Sequence, residues 1–135
     1  MHHMPYSTLA LKVLTQDTQG ALFTIEHTNH KKGGPPRHVH PHQDEWFYVL
    51  DGEFIAEIGD QRVTLHPGDS ILGPRGVPHA FACVTGGTGR LLITFTPAGK
   101  MEPFFEHISQ TNAPLQDAAL FRQYDMELLG PPLSI

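Results

Sequence analysis

Three histidines stand at alternate positions in Arg37-His38-Val39-His40-Pro41-His42-Gln43-Asp44-Glu45, and the closing carboxylate opens an apolar run, Trp46-Phe47-Tyr48-Val49-Leu50. Alternate residues of an extended chain point the same way, so His38 and His40 present their imidazoles side by side. Glu45 lies an odd number of positions beyond His40, and an unbroken strand would aim it at the opposite face. Pro41-His42-Gln43-Asp44 has the composition of a turn, which would bring Glu45 back to the histidines. Two imidazoles and a carboxylate gathered in this way suit a divalent transition metal. The competing reading is a solvated loop that binds metal adventitiously. Two features favour a built site. A carboxylate at the head of so apolar a strand is costly unless paired. A further imidazole, His79, follows the stiff loop Pro74-Arg75-Gly76-Val77-Pro78. His42 has the spacing to replace His40 but falls in the turn, and reads as solvated or as a support to a ligand.

The elements that must position these groups are short strands. Period-two patterns run over residues 8–14, 21–28, 45–50, 53–58, 61–66, 70–72, 79–84 and 90–96. Phe23, Ile25 and His27 share one face, and His27 reads as a satisfied core histidine, with an inward polar residue near the site as the alternative. Glu45, Phe47 and Val49 face the interior, and Trp46, Tyr48 and Leu50 the other side. A strand apolar on both faces needs two covers, the outer one from a sheet edge, a C-terminal helix or another subunit. Asp51-Gly52, Gly59-Asp60 and Thr85-Gly86-Gly87-Thr88-Gly89 mark the turns. His79, Phe81 and Cys83 share a face, and Cys83 reads as a small buried apolar residue in or near the cavity. The period then changes: Met101, Phe104, Phe105 and Ile108 form one helical face, and Asn112-Ala113-Pro114 breaks it. Asp117 caps a second helix, expected to run to about Leu128 with Leu120, Phe121, Tyr124 and Leu128 as its apolar set. Gly130-Pro131-Pro132 is read as its stop. These helices are expected against the outside of a sheet, with a lid over the barrel mouth as the alternative. Short turns and no crossover helix point to an antiparallel sandwich or barrel, whose closure lays the His79 strand beside the early histidines.

At this point the chain resembles a family. His38-x-His40-x4-Glu45-x6-Gly52 matches the first cupin motif, and Gly68-x5-Pro74-x-Gly76-x2-His79 matches the second, within a resemblance spanning about residues 20 to 100. The chain is similar to single-domain cupins of the quercetin dioxygenase-like branch. The resemblance implies an all-β fold, a double-stranded antiparallel β-helix (jelly-roll barrel), here with two short C-terminal helices. Residues 1–7 would form an N-terminal arm, 8–98 the barrel and 99–135 a helical extension packed on it. It also makes His38, His40, Glu45 and His79 the ligands of one divalent transition metal (Fe, Mn, Ni, Cu, Co or Zn), with Glu45 doubling as a catalytic base. Two positions depart from the family pattern. Lys32 stands where a glycine usually precedes the first histidine, with Gly33 and Gly34 just after it. Cys83 stands where the second motif usually closes on asparagine.

Composition sets the outer bounds. The 135 residues suffice for one core, and 13 glycines with 12 prolines favour turns over long helices. A net charge of −5 with no basic stripe argues against nucleic acid as a partner. A single cysteine excludes an internal disulfide framework. No segment has the apolar length of a membrane span, so a cytoplasmic setting without membrane partners is expected. A homodimer would bury the doubly apolar strands. Three imidazoles and one carboxylate leave open positions on the metal, unlike a closed structural zinc site. The functional expectation is a dioxygenase-like oxidoreductase acting on a small organic substrate in an apolar cavity lined by Phe47, Val49, Phe54, Phe81 and Cys83. The alternatives are a non-enzymatic small-ligand binding or sensing module, and a metal-dependent isomerase or decarboxylase, for which Arg37 and Arg75 are candidate anion grips. No nucleophilic triad order, phosphate-cradling loop or zinc-protease helix is visible.

Overall fold

The computed structural model describes residues 2–4, 7–111 and 116–135. Its strands are β1 (His2–Met4), β2 (Ser7–Val13), β3 (Phe23–Asn29), β4 (Pro36–Val39), β5 (Asp44–Asp51) and β6 (Phe54–Ile58). They continue with β7 (Gln61–Leu65), β8 (Ser70–Gly73), β9 (His79–Cys83), β10 (Gly89–Thr96) and β11 (Glu127–Pro132). Two helices, α1 (Met101–Thr111) and α2 (Ala118–Gln123), lie between β10 and β11. The strands form two antiparallel sheets, ordered β1-β2-β3-β10-β5-β8 and β11-β4-β9-β6-β7. This is the expected double-stranded β-helix.

Alternation builds the interior. Along β3, Phe23, Ile25, His27 and Asn29 are buried while Thr24, Glu26 and Thr28 are half-buried, and β10 repeats the pattern with Gly89, Leu91, Ile93 and Phe95 inward. On β5, Glu45, Phe47 and Val49 point in. On the outer face Trp46 pairs across to Leu72 of β8, and they stay 36 % and 47 % exposed, so no other part of the described chain covers that side.

The loop before β4 solves the departure at Lys32. Gly33 exchanges two backbone hydrogen bonds of 2.9 Å with Cys83. A Cβ on Gly34 would stand 1.9 Å from the Phe81 carbonyl oxygen, a collision with backbone that cannot yield cheaply. Glycine is therefore needed at Gly34, where the loop crosses β9, and a lysine at position 32 is tolerated.

The C-terminal segment departs from the sequence expectation. Asp117 caps α2 as expected, its side chain accepting from the backbone of Ala119 and Leu120. The helix ends at Gln123, however, and Asp125 turns the chain with φ +63°. Leu128, which helical spacing assigned to α2, lies in β11 opposite His38 of β4. The open backbone groups along the edge of β4 are satisfied by this strand, and that pairing outweighs the local helical period. Pro131 and Pro132 are compatible with an outermost strand, where a missing N–H is harmless. β1, which pairs with β2, was read only as part of an arm. The expected break at Asn112-Ala113-Pro114 lies outside the described residues. No helix among the described residues is long and apolar enough to cross a membrane.

Candidate metal centre and cavity

β4 delivers His38 and β9 delivers His79, and these two residues are direct register partners across the smaller sheet. His40 follows β4 by one residue, and the turn at Pro41–Gln43 reverses the chain so that β5 can present Glu45 inward. One donor atom from each of His38, His40, Glu45 and His79 lies within 4.8 Å of all the others. All four residues are buried, none more than 7 % exposed. His42 is exposed on the turn and stands apart from the cluster, as does His30.

The hydrogen bonds around the cluster select tautomers. His38 Nδ1 lies 2.8 Å from the Pro36 carbonyl, which can only accept, so Nδ1 carries the proton and Nε2 keeps a lone pair. Gln43 donates from Nε2 to the Pro97 and Ala98 carbonyls at 2.8 Å each. Its Oε1 therefore faces His40 Nδ1, 2.9 Å away, and accepts from it. His40 Nε2 is then a lone pair 3.0 Å from Glu45 Oε1, with no hydrogen-bond geometry of its own. Two acceptors this close in a buried site attract only by sharing a cation, a proton or a metal ion. His79 Nε2 donates a hydrogen bond of 2.8 Å to the same oxygen. The donor types, the tautomers selected at His38 and His40 and the convergence on one point fit a divalent transition metal, which would replace the proton that His79 now donates to Glu45.

The electrostatics agree. Burial first, then the neighbouring His79 and His40, lowers the His38 pKa from 6.5 to about 3, against an opposing pull from Glu45. This ring is neutral at neutral pH, as ligation requires. Burial pushes the Glu45 carboxyl up, but the imidazoles of His79 and His40 outweigh it and hold the group well below the usual carboxylate range.

The cluster opens onto a cavity of about 600 Å³, with His38, His40 and Glu45 in its wall. Of the apolar residues expected there, Phe81 lines it, whereas Phe47, Val49, Phe54 and Cys83 are buried in the core and do not. Phe47 packs against the His79 and Phe81 rings from behind, at centroid distances of 5.8 and 5.4 Å. The wall is completed by Phe95 of β10 and by Phe104, Phe105 and Ile108 of α1 with Phe121 of α2. The helices thus turn their apolar faces to the cavity, and Phe121 meets the His38 ring at 5.6 Å. Of the two readings of His27, the inward polar residue holds: it lines the cavity beside Asn29, with Nδ1 outside strict hydrogen-bond geometry. Neither arginine reaches the cavity: Arg37 is bound to Glu57 and the Gly59 carbonyl, and Arg75 to Asp44.

Gln43 was read only as a turn residue. Its spacing of three from His40 suits a side chain folding back across a turn, but no periodic signal marks it. It orients His40 and ties it to the segment after β10. Gln43→Leu is expected to weaken metal affinity about 10- to 100-fold with the fold retained, as measured by competition against a chromophoric chelator. Unchanged affinity would show that the Gln43 bond does not orient the ligand.

Comparison with known proteins places this fold. A family model described as "Cupin domain" matches residues 25–95, just over half of the chain. The structure of KdgF from Halomonas sp. superposes with a TM-score of 0.63 at 21 % identity, covering 72 % of this chain and 84 % of that one. The polyketide cyclase RemF from Streptomyces resistomycificus gives 0.58 at 25 % identity, covering 68 % and 66 %. The cupin domain of Schizosaccharomyces pombe Cnp3 gives 0.61 at 12 % identity, covering 72 % and 65 %. No curated protein matches the chain in sequence.

Proposed function

Because this chain belongs to the cupin family, we propose that it is a metal-dependent enzyme acting on a small, largely apolar organic molecule that bears an oxygen donor, with dioxygen-dependent oxidation as the reaction. The observation that carries this reading is the buried three-imidazole, one-carboxylate cluster in the wall of an aromatic cavity. His38, His40, Glu45 and His79 would hold the metal. A bound transition ion supplies Lewis acidity and, where redox-active, an electron path to dioxygen.

The chain's own side chains do the rest. The aromatic wall binds the body of the substrate and excludes water, which strengthens the electrostatic interactions of Glu45 inside. Glu45 turns Oε1 to His40 and His79, leaving Oε2 to take a proton from a phenol or enol of the substrate. Gln43 and Pro36 hold the two imidazole tautomers while this proton moves. Among the described residues, the lysines and arginines in the cavity lining are Lys31 and Lys32, both exposed, and the largely apolar remainder supports a largely apolar substrate.

A second copy of the chain over Trp46 and Leu72 is part of the same reading, as is residence in the cytoplasm. The activity is tested by oxygen uptake and product mass spectrometry on metal-loaded protein with a panel of phenolic and enolisable compounds. Turnover that disappears in Glu45→Gln, while other metal-binding behaviour is tracked separately, is the expected result. Ligand-induced thermal stabilisation with no oxygen uptake and no product for any compound would overturn the enzymatic reading in favour of a binding module.

A further inference from the structure

Away from the metal cluster, the cavity wall holds two polar side chains that the packing leaves unanswered. His27 and Asn29 stand on the inward face of β3 and are 9 % and 6 % exposed. Both line the cavity. Asn29 Nδ2 donates to the Gly33 carbonyl at 3.1 Å, and since that carbonyl cannot donate, the amide orientation is settled and Oδ1 is the free acceptor. Asn29 Oδ1 and His27 Nδ1 are both buried, and beyond the loose contact between the two side chains neither has a hydrogen-bond partner. Each such group costs stability, and such costs persist where they serve a site.

The register gives the pair's position relative to the metal cluster. Glu45 on β5, Phe95 on β10 and Phe23 on β3 form one row across the larger sheet. His27 lies four residues along β3 from Phe23, about 13 Å at the usual strand rise. Phe81 stands between the two ends, its ring edge-on to His27 at a centroid distance of 5.8 Å. The cavity is therefore aromatic in the middle and polar at both ends.

We propose that His27 and Asn29 form a hydroxyl-binding subsite, which selects aromatic ligands carrying a neutral hydroxyl at the end remote from the metal. The claim rests on the proposed function for the metal-side anchor and not for turnover. A hydroxyl matches the pair because it donates to Asn29 Oδ1 while accepting from, or donating to, His27 Nδ1. A carboxylate or phosphate matches the pair itself poorly, since Asn29 offers it only an acceptor and the His27 ring is neutral, while Lys31 and Lys32 of the same lining are exposed. Burial lowers the His27 pKa from 6.5 to about 4, against opposing pulls from its hydrogen-bonding contact with the Asn29 side chain and from Glu45.

The test uses metal-loaded full-length protein and two neutral probes, a phenyl-substituted 2-hydroxyacetophenone and the same molecule with a para-hydroxyl on its distal ring. Both offer the metal the same chelating oxygens, and calorimetry reads binding without any need for catalysis. Wild type is expected to prefer the hydroxylated probe by at least about tenfold. His27→Phe is expected to abolish that preference, to bind the plain probe at least as well as wild type, and to keep its metal content. If His27 were only structural, the variant would lose both probes together and melt lower. Equal affinity of wild type for the two probes, binding of neither, or a preference that survives in His27→Phe would each overturn the subsite. The wild-type comparison decides the matter even if the variant does not fold. Absence of enzymatic turnover, by contrast, would leave these binding ratios untouched.

Discussion

His79→Ala is expected to reduce bound transition metal from about one equivalent per chain to a trace, read by elemental analysis of protein purified without an affinity tag. His79 Nε2 is 2.8 Å from Glu45 Oε1 and joins the cluster only through the β4–β9 pairing opposite His38. Its loss removes one of four donors, which is a larger effect than loss of a supporting residue, so affinity should fall by more than about 100-fold. Without metal the variant also leaves the buried Glu45 carboxylate with one imidazole fewer. Breaking a buried pair in this way costs roughly 3 kcal/mol or more, so the apo-variant should melt below apo-wild type. His79→Gln, which keeps a polar group near Glu45, should lose the metal with a smaller drop in melting temperature. His42→Ala serves as the control, because His42 is exposed on the turn and its metal content should match wild type. Full metal occupancy in His79→Ala would mean that the two motifs do not share one ion.

How much of this centre could be read from the sequence follows from the range of the interactions involved. The alternation of His38 and His40, the turn that returns Glu45 and the stiff loop before His79 are local features, and each led to a residue of the cluster. Strand alternation separated inward from outward side chains correctly on β3, β5 and β10. It could not separate cavity wall from core, because both lie on the inward face of a strand. That is why Phe47, Val49, Phe54 and Cys83 sit in the core while Phe95, from an equally inward position, lines the cavity. Leu128 failed for a different reason. Its spacing continued the apolar period of α2, and only the unpaired edge of β4, far away in sequence, makes the segment a strand. For His27 the strand pattern shows burial and leaves two readings open, because satisfaction of its ring nitrogens depends on neighbours brought in by the fold.

Acid is expected to destabilise the metal-free protein already above the range where ordinary carboxylates titrate. His27 and His38 have pKa values lowered from 6.5 to about 4 and about 3, in both cases chiefly by burial. Between those values and 6.5 the unfolded chain binds protons on these rings that the folded chain refuses. Stability therefore falls as pH falls through this window, and is regained above 6.5. Glu45 acts in the same direction lower down: its contribution is full above the ordinary carboxylate pKa and is lost as pH falls towards its depressed folded value. At 1.36 kcal/mol per unit, each histidine is worth about 2–3 kcal/mol at pH 4.5. Together they consume a large part of the 5–15 kcal/mol typical of a domain. Calorimetry of chelator-treated protein should show the melting temperature falling by more than about 10 °C from pH 7.5 to 4.5. His27→Phe should remove close to half of that slope, since it deletes one of the two rings while leaving His38 in place. A melting temperature flat across this range would mean that both rings are solvated and free to charge in the folded protein, which would undo the neutral ligand set as well as the hydroxyl subsite.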